Sequence, residues 1–361
     1  MRNSLILAAL AAAAVPGAGF RDVKELTNDL GGSINSALLT GADGKHFVVR
    51  QGATDAAALD LATEVAALRV IDALELPFKV SAVLGESRAP GQRPAVVFEY
   101  VYGKPVDLGR TRAGDALADS IGGAIAALHN LDAEPLREAG FPEYSPTETV
   151  NQRLNELDRL AGTGKIPKVL LDRWSEALEN VSLFRFTPTV VNSNLSSTNV
   201  LELDGAVSGI LGWNGLKIGD PAEDFSWLAG HADHELMDAV RFAYLGTRKI
   251  IDPNLSQRAH LYSEMHTARW MQHGLNIGDD GIVQEGVGML NLLVEEVETG
   301  DVPALTAGTF AKPAGSFIEP VEEVEAAEPE LEVVQDPHVA VFADDATREI
   351  ELPEKTDDEL F

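Results

Sequence analysis

The segment "VVNSNLSSTNVLELDGAVSGILGWNGLKIGDP", Val190 to Pro221, constrains this chain more than any other stretch. An Asn-rich loop runs into a short apolar strand, Asp204-Gly205 supplies a tight turn, and a second strand returns. Gly-Trp-Asn-Gly and Gly-Asp-Pro then close the unit. Helical periodicity lies on both sides of it, so it predicts a small hairpin set into a helical body. Loops of this layout carry carboxylates that hold a metal ion and activate a nucleophile. Here Asn194 and Gly212 stand in those two places.

The half of the chain before the hairpin divides in two. "SALLT" (36–40) and "HFVVRQ" (46–51) read as strands joined by a turn at Gly41-Ala42-Asp43-Gly44. "DAAALDLATEVAALRVIDAL" repeats apolar residues at Leu61, Val65, Leu68 and Ile71 and predicts a helix. Pro77 opens an extended stretch, "FKVSAVLGESR", and "PAVVFEYV" reads as a buried strand. Helices are then expected over 114–132, over 147–161 with Thr147 as cap, and over 167–181. Beyond the hairpin they are expected over Asp224–Leu245, Asn254–His273 and Ile282–Glu298. The expected division is an Ala-rich apolar segment (1–19), a β-rich lobe (20–103), a helical lobe (104–303) and an acidic tail (304–361). The fold class is α+β.

Charge decides which partners are excluded. Residues 319–361 hold sixteen acidic against two basic residues, so −14 of the net −29 lies there and −15 on the rest. Such a surface opposes nonspecific nucleic-acid binding, which needs clustered Lys and Arg. The tail cannot bury enough apolar surface to offset its ordering entropy, so disorder is expected; it reads first as a solvated solubility tail, with docking of a protein as the second reading. With no Cys, disulfides and thiolate-ligated metals are excluded. The run Leu5–Val15 is too short to span a bilayer. It reads either as a helix packed on the first lobe, as in a cytoplasmic protein, or as an export signal.

A small β-rich lobe, a hinge, then a helical lobe with one functional hairpin is the protein-kinase-like, bilobal plan. The quoted segment resembles the aminoglycoside phosphotransferase family and its macrolide and choline kinase-like relatives. That family shows His-Gly-Asp, an Asn five residues after the Asp, a hairpin, Ile-Asp-Trp, then Gly-Asp-Pro and a last Asp. Asn192-Ser193-Asn194 stands in the first place, Asn199 matches the metal-binding Asn, and Leu211-Gly212-Trp213 replaces Ile-Asp-Trp. Asp220 and Asp224 match the trailing acids, with structural roles. The resemblance also assigns Gly32 and Ser33 to the nucleotide loop. Arg50 then takes the strand basic residue's place, Glu64 is its helix partner, and Glu99 and Val101 form the hinge. It implies ATP, with or without Mg²⁺, and no other cofactor. It also implies an acceptor site between helices of the large lobe, acidic in members that take aminoglycosides.

The substitutions oppose that chemistry. Mg²⁺ wants hard oxygen ligands in near-octahedral geometry, and Gly212 offers none. Asn194 is nearly isosteric with Asp but cannot take a proton, and a general base contributes about 10²–10⁴ in rate. The expectation is a pseudokinase that binds or regulates a small-molecule or protein partner. The alternative is an active small-molecule phosphotransferase with an unorthodox metal site, for which Asp220, Glu223 and Asp224 are the substitute carboxylates to consider.

Overall fold

The structure is a computed structural model and describes residues 2–26, 33–88, 91–248 and 250–307. Gly32 and the tail from residue 308 lie outside the described residues. Helix α1 (Arg2–Ala14) precedes strands β1 (Asp22–Leu26), β2 (Ile34–Thr40) and β3 (His46–Gly52). Helix α2 (Asp55–Ile71) follows, then β4 (Val83–Ser87) and β5 (Ala95–Glu99). These strands make one antiparallel sheet in the order β1-β2-β3-β5-β4.

The larger part begins with β6 (Lys104–Pro105) and α3 (Ala116–His129), then α4 (Glu134–Glu138), α5 (Pro146–Ala161) and α6 (Lys168–Glu179). Strand β7 (Thr189–Val191) leads to β8 (Val200–Leu203), β9 (Ala206–Ile210) and β10 (Lys217–Gly219). A 3-10 turn (Pro221–Phe225) precedes α7 (Ser226–Ala229), α8 (His234–Thr247), α9 (Leu255–Ile277) and α10 (Asp280–Thr299). Strands β8 and β9 form the central hairpin with β6 on its edge, and β10 pairs with β7. Asp204 and Gly205 both take positive φ, 54° and 79°, which suits the two-residue turn between β8 and β9.

Two cores hold this together. One runs from α2 and the inner sheet face, through Val96 and Phe98, into the helical part around Ile121, Trp174, Trp213 and Phe225. The other lies on the outer sheet face, where Leu7, Leu10 and Ala11 of α1 bury against Leu39, Val49 and Val97. Among the described residues no helix is long and apolar enough to cross a membrane.

Several local expectations need correction. Helix α5 is capped by Ser145, not Thr147: Ser145 Oγ accepts the Glu148 N–H, Glu148 reaches back, and Pro146 fills the first helical position. The single helix expected over Asp224–Leu245 is three pieces, because the chain breaks at Gly230 and Asp233 caps a fresh start. The stretch after Pro77 is not all strand. Lys79 bonds instead to Ser208 and Ile210 of β9, tying the sheet part to the hairpin.

Candidate functional site

The site is built on the loop between β7 and β8. Strand β7 ends at Val191, and the chain then turns sharply through Ser193, a non-glycine residue at φ 55°. Asp224 holds this turn. Its fully buried carboxylate accepts the N–H of Asn192 at 2.9 Å and of Ser193 at 2.6 Å. His129, at the end of α3, donates through Nε2 to the same carboxylate, 3.1 Å away, and meets the Tyr244 hydroxyl at 3.0 Å with Nδ1. Burial pushes the His129 imidazole below its ordinary pKa, and the neighbouring Asp224 only partly restores it.

Asn192 is fully buried and joins two loops. Its Nδ2 donates to the Gly212 carbonyl at 3.1 Å while its Oδ1 accepts the Asn194 N–H at 2.9 Å. Ser193 Oγ donates to the Gly215 carbonyl at 2.7 Å. The hairpin's two ends are thus laced through side chains that carry no charge.

The exposed tip is made of amides. Asn194 Nδ2 donates to Asn214 Oδ1 at 3.0 Å, and Asn199 Nδ2 donates to the Asn194 carbonyl at 2.9 Å. Gly212, at φ 69°, points the position of a missing Cβ straight at them: such an atom would lie 2.8 Å from Asn199 Nδ2 and 3.1 Å from Asn194 Nδ2. The volume an acidic side chain would enter here is filled by amide nitrogen. A dication does not fit these residues, because the groups meeting at that point are neutral and both turn amide nitrogen to it.

The three nearby carboxylates are all committed. Asp224 braces the loop. Asp220 is fully buried and held bidentately by Arg258 at 2.7 and 2.8 Å, with the Tyr262 hydroxyl donating at 2.6 Å. Burial alone would raise the Asp220 carboxyl, but Arg258 carries it below the ordinary carboxylate value. Glu223 pairs with Lys217 at 2.8 Å and Arg153 at 3.3 Å. Among the described residues no group of three His, Asp or Glu side chains is gathered as a metal site.

On the sheet side, Arg50 Nη1 donates to Glu64 Oε2 at 2.7 Å, with Glu64 largely buried on α2. Ser33 is exposed at the start of β2. Glu99 is exposed and Val101 buried in the segment linking the two parts. That segment is anchored to β9: Ser208 Oγ donates to the Tyr102 carbonyl, and Gly209 leaves room for Val101, whose Cγ1 lies 2.3 Å from where a Cβ would sit. A cavity of about 360 Å³ lies elsewhere, between the end of α2 and β9, lined by Ile71, Leu74, Phe78, Val80 and Val207.

Sequence reasoning missed Asn214, His129 and Arg258 as parts of this site. Asn214 stands in the Gly-Trp-Asn-Gly run, so its closeness to the loop was readable. The other two reach the site from helices far along the chain, and no local spacing announces them.

The sequence profile of the phosphotransferase enzyme family matches residues 25–257. Viomycin phosphotransferase of Streptomyces vinaceus is 29% identical over 209 residues, which is 55% of this chain and 71% of that protein. The macrolide 2'-phosphotransferase MphH from Brachybacterium faecium, an apoenzyme structure, superposes with a TM-score of 0.66 at 19% identity, covering 80% of this chain and 98% of that one. The GDP and kanamycin complex of APH(2")-IIia gives 0.68 at 17% identity over 82% and 99% of the two chains. These structures share the protein's fold.

Proposed function

Because the chain belongs to the phosphotransferase enzyme family, its profile spanning residues 25–257, we propose that it is a catalytically silent member, a pseudokinase acting through binding or regulation. One observation carries this. The Asn194 side chain, where the resemblance puts the catalytic acid, is an amide bonded to Asn214, and the space beside Gly212 is closed by Asn199.

The rest of the site supports the same reading. The three carboxylates weighed as replacements are not free, since Asp220, Glu223 and Asp224 each already serve a cation or the backbone. Parts that serve the fold are retained: the Arg50–Glu64 pair, the Asp224 brace and the hinge contacts to β9. A nucleotide is the ligand the cleft would keep, as the GDP complex of APH(2")-IIia does. It would be held by Arg50, Ser33 and the hinge at Glu99 and Val101, with Asn199 left as a weak oxygen donor.

The alternative, an active transferase with an unorthodox metal site, makes the opposite prediction in one assay. Incubation with γ-labelled ATP and Mg²⁺ is expected to release no label above the protein-free rate. Turnover at ordinary kinase rates that disappears in Asn194→Ala would overturn the silent reading.

A further inference from the structure

Around Glu223, next to the brace Asp224 in sequence, lies a half-buried cluster of charges that the proposal above leaves unused. Lys217 of β10 sits over the Tyr144 ring, its Nζ 5.8 Å from the centroid, and pairs with Glu223 at 2.8 Å. Arg153 of α5 lies over the Tyr262 ring at 4.7 Å and pairs with Glu223 at 3.3 Å and Glu156 at 2.9 Å. Arg269 of α9 pairs with the same Glu156 at 3.0 Å and bonds to His266 Nδ1 at 3.3 Å.

Three permanent cations therefore share two carboxylates. The imbalance has a structural sign, because among the described residues the buried Arg153 Nε–H has no hydrogen-bond partner. Leaving such a donor unmade costs about 1–3 kcal/mol. Burial also pushes the Arg269 guanidinium below its ordinary pKa, which Glu156 opposes and Arg153 reinforces. Behind Tyr262 the imbalance reverses, with Arg258 held by both Asp220 and Asp252, but those groups are nearly or fully buried and answer one another. Around Glu223 and Glu156 the surplus is positive. It stands out in a chain of net charge −29.

We propose that this cluster is an anion-binding site, taking a small carboxylate or phosphate against Lys217, Arg153 and Arg269, with Tyr144 as its apolar wall. Lys217 follows three residues after Asn214, and Glu223 adjoins the brace Asp224, so the site flanks the loop where the family's acceptor would approach. The chain then differs on this side from members with an acidic cleft: a polycation meets three cations there, and an anion completes the pairing.

The test uses the full chain and three named probes: citrate, inorganic phosphate and spermidine, each titrated by calorimetry at ionic strength matched with potassium chloride. Citrate or phosphate is expected to bind saturably, and whichever binds more tightly identifies the preferred group. Lys217→Gln and Arg269→Gln each restore two cations to two carboxylates and are expected to weaken that binding at least tenfold. Lys45→Gln, which removes an exposed cation in the β2–β3 turn, is expected to leave it unchanged. Circular dichroism verifies that each variant is folded. The site is overturned if neither anion binds beyond the salt control, if all three variants behave alike, or if spermidine binds and competes. Phosphoryl transfer by the protein would overturn the silent reading and leave this site standing, so the two fail separately.

Discussion

On the silent reading, putting an acid at both places should make the protein's stability depend on a dication. In the double variant Asn194→Asp/Gly212→Asp, the new side chain at 212 enters at φ 69°, where a non-glycine residue costs roughly 1–2 kcal/mol. Its Cβ lies 2.8 Å from Asn199 Nδ2, so that amide must leave the Asn194 carbonyl it holds at 2.9 Å. Losing that bond costs about 1 kcal/mol. Two carboxylates about 4 Å apart add about 1 kcal/mol of repulsion in a water-like dielectric.

The sum is roughly 3–4 kcal/mol of lost stability in EDTA. For a domain of this size about 2–4 °C of melting temperature goes with each kcal/mol, so a fall of about 6–16 °C is expected. Mg²⁺ at a hundredfold excess over its dissociation constant returns about 2.7 kcal/mol and should recover most of that fall. The parent protein, scanned by calorimetry with and without Mg²⁺, should not change. A parent that melts higher in Mg²⁺, or a double variant as stable as the parent in EDTA, refutes the claim that amides occupy the ion's place.

Three further outcomes follow from the geometry. Asp224→Ala strips the acceptor from two backbone N–H groups and from His129, at about 1–3 kcal/mol each, so urea denaturation should show a loss of at least about 3 kcal/mol, with Asp224→Asn in between. Gly85→Ala places a Cβ 2.2 Å from the Ala14 carbonyl oxygen and should cost about 1–3 kcal/mol by lifting α1 from the sheet, seen as faster proteolysis near Val15. His129, His260 and His266 all have pKa values lowered by burial, so the unfolded chain binds more protons than the folded one just below about pH 6.5. Stability should therefore fall as pH drops below that value, and His129→Gln should flatten the dependence.

What was legible in the sequence is what local chemistry decides. The periods of α2, α3 and α5 follow from side-chain spacing, and the Asp204-Gly205 turn follows from its need for positive φ. The Ser145 cap was also open to a local reading, since Ser145 and Glu148 bracket Pro146 in a capping-box spacing. Strand β1 was obscure because "DVKEL" is mostly exposed, and its place is set by pairing with β2 rather than by its own composition. The substitutions at Asn194 and Gly212 were visible in sequence, but not that Asn199 and Asn214 would close over them. The basic cluster was invisible, since Arg153, Lys217 and Arg269 come from α5, β10 and α9 and meet only once those elements pack.

The distribution of charge between the two sites argues for one interpretation of both. Three acids that follow the hairpin have protein partners: Asp220 has Arg258, Glu223 has Lys217 and Arg153, and Asp224 has two backbone N–H groups. Burying an unpaired charge costs several kcal/mol, so a site that awaits a dication keeps its acids exposed or poorly paired until the ion arrives. Here those three acids are already answered by cations or backbone N–H groups of the protein. In the neighbouring charge cluster the opposite holds, with a buried Arg153 N–H that no group among the described residues reaches. Amide nitrogen stands beside Gly212 where the resemblance places a metal-binding acid, and the proposed anion site lies on elements that flank it.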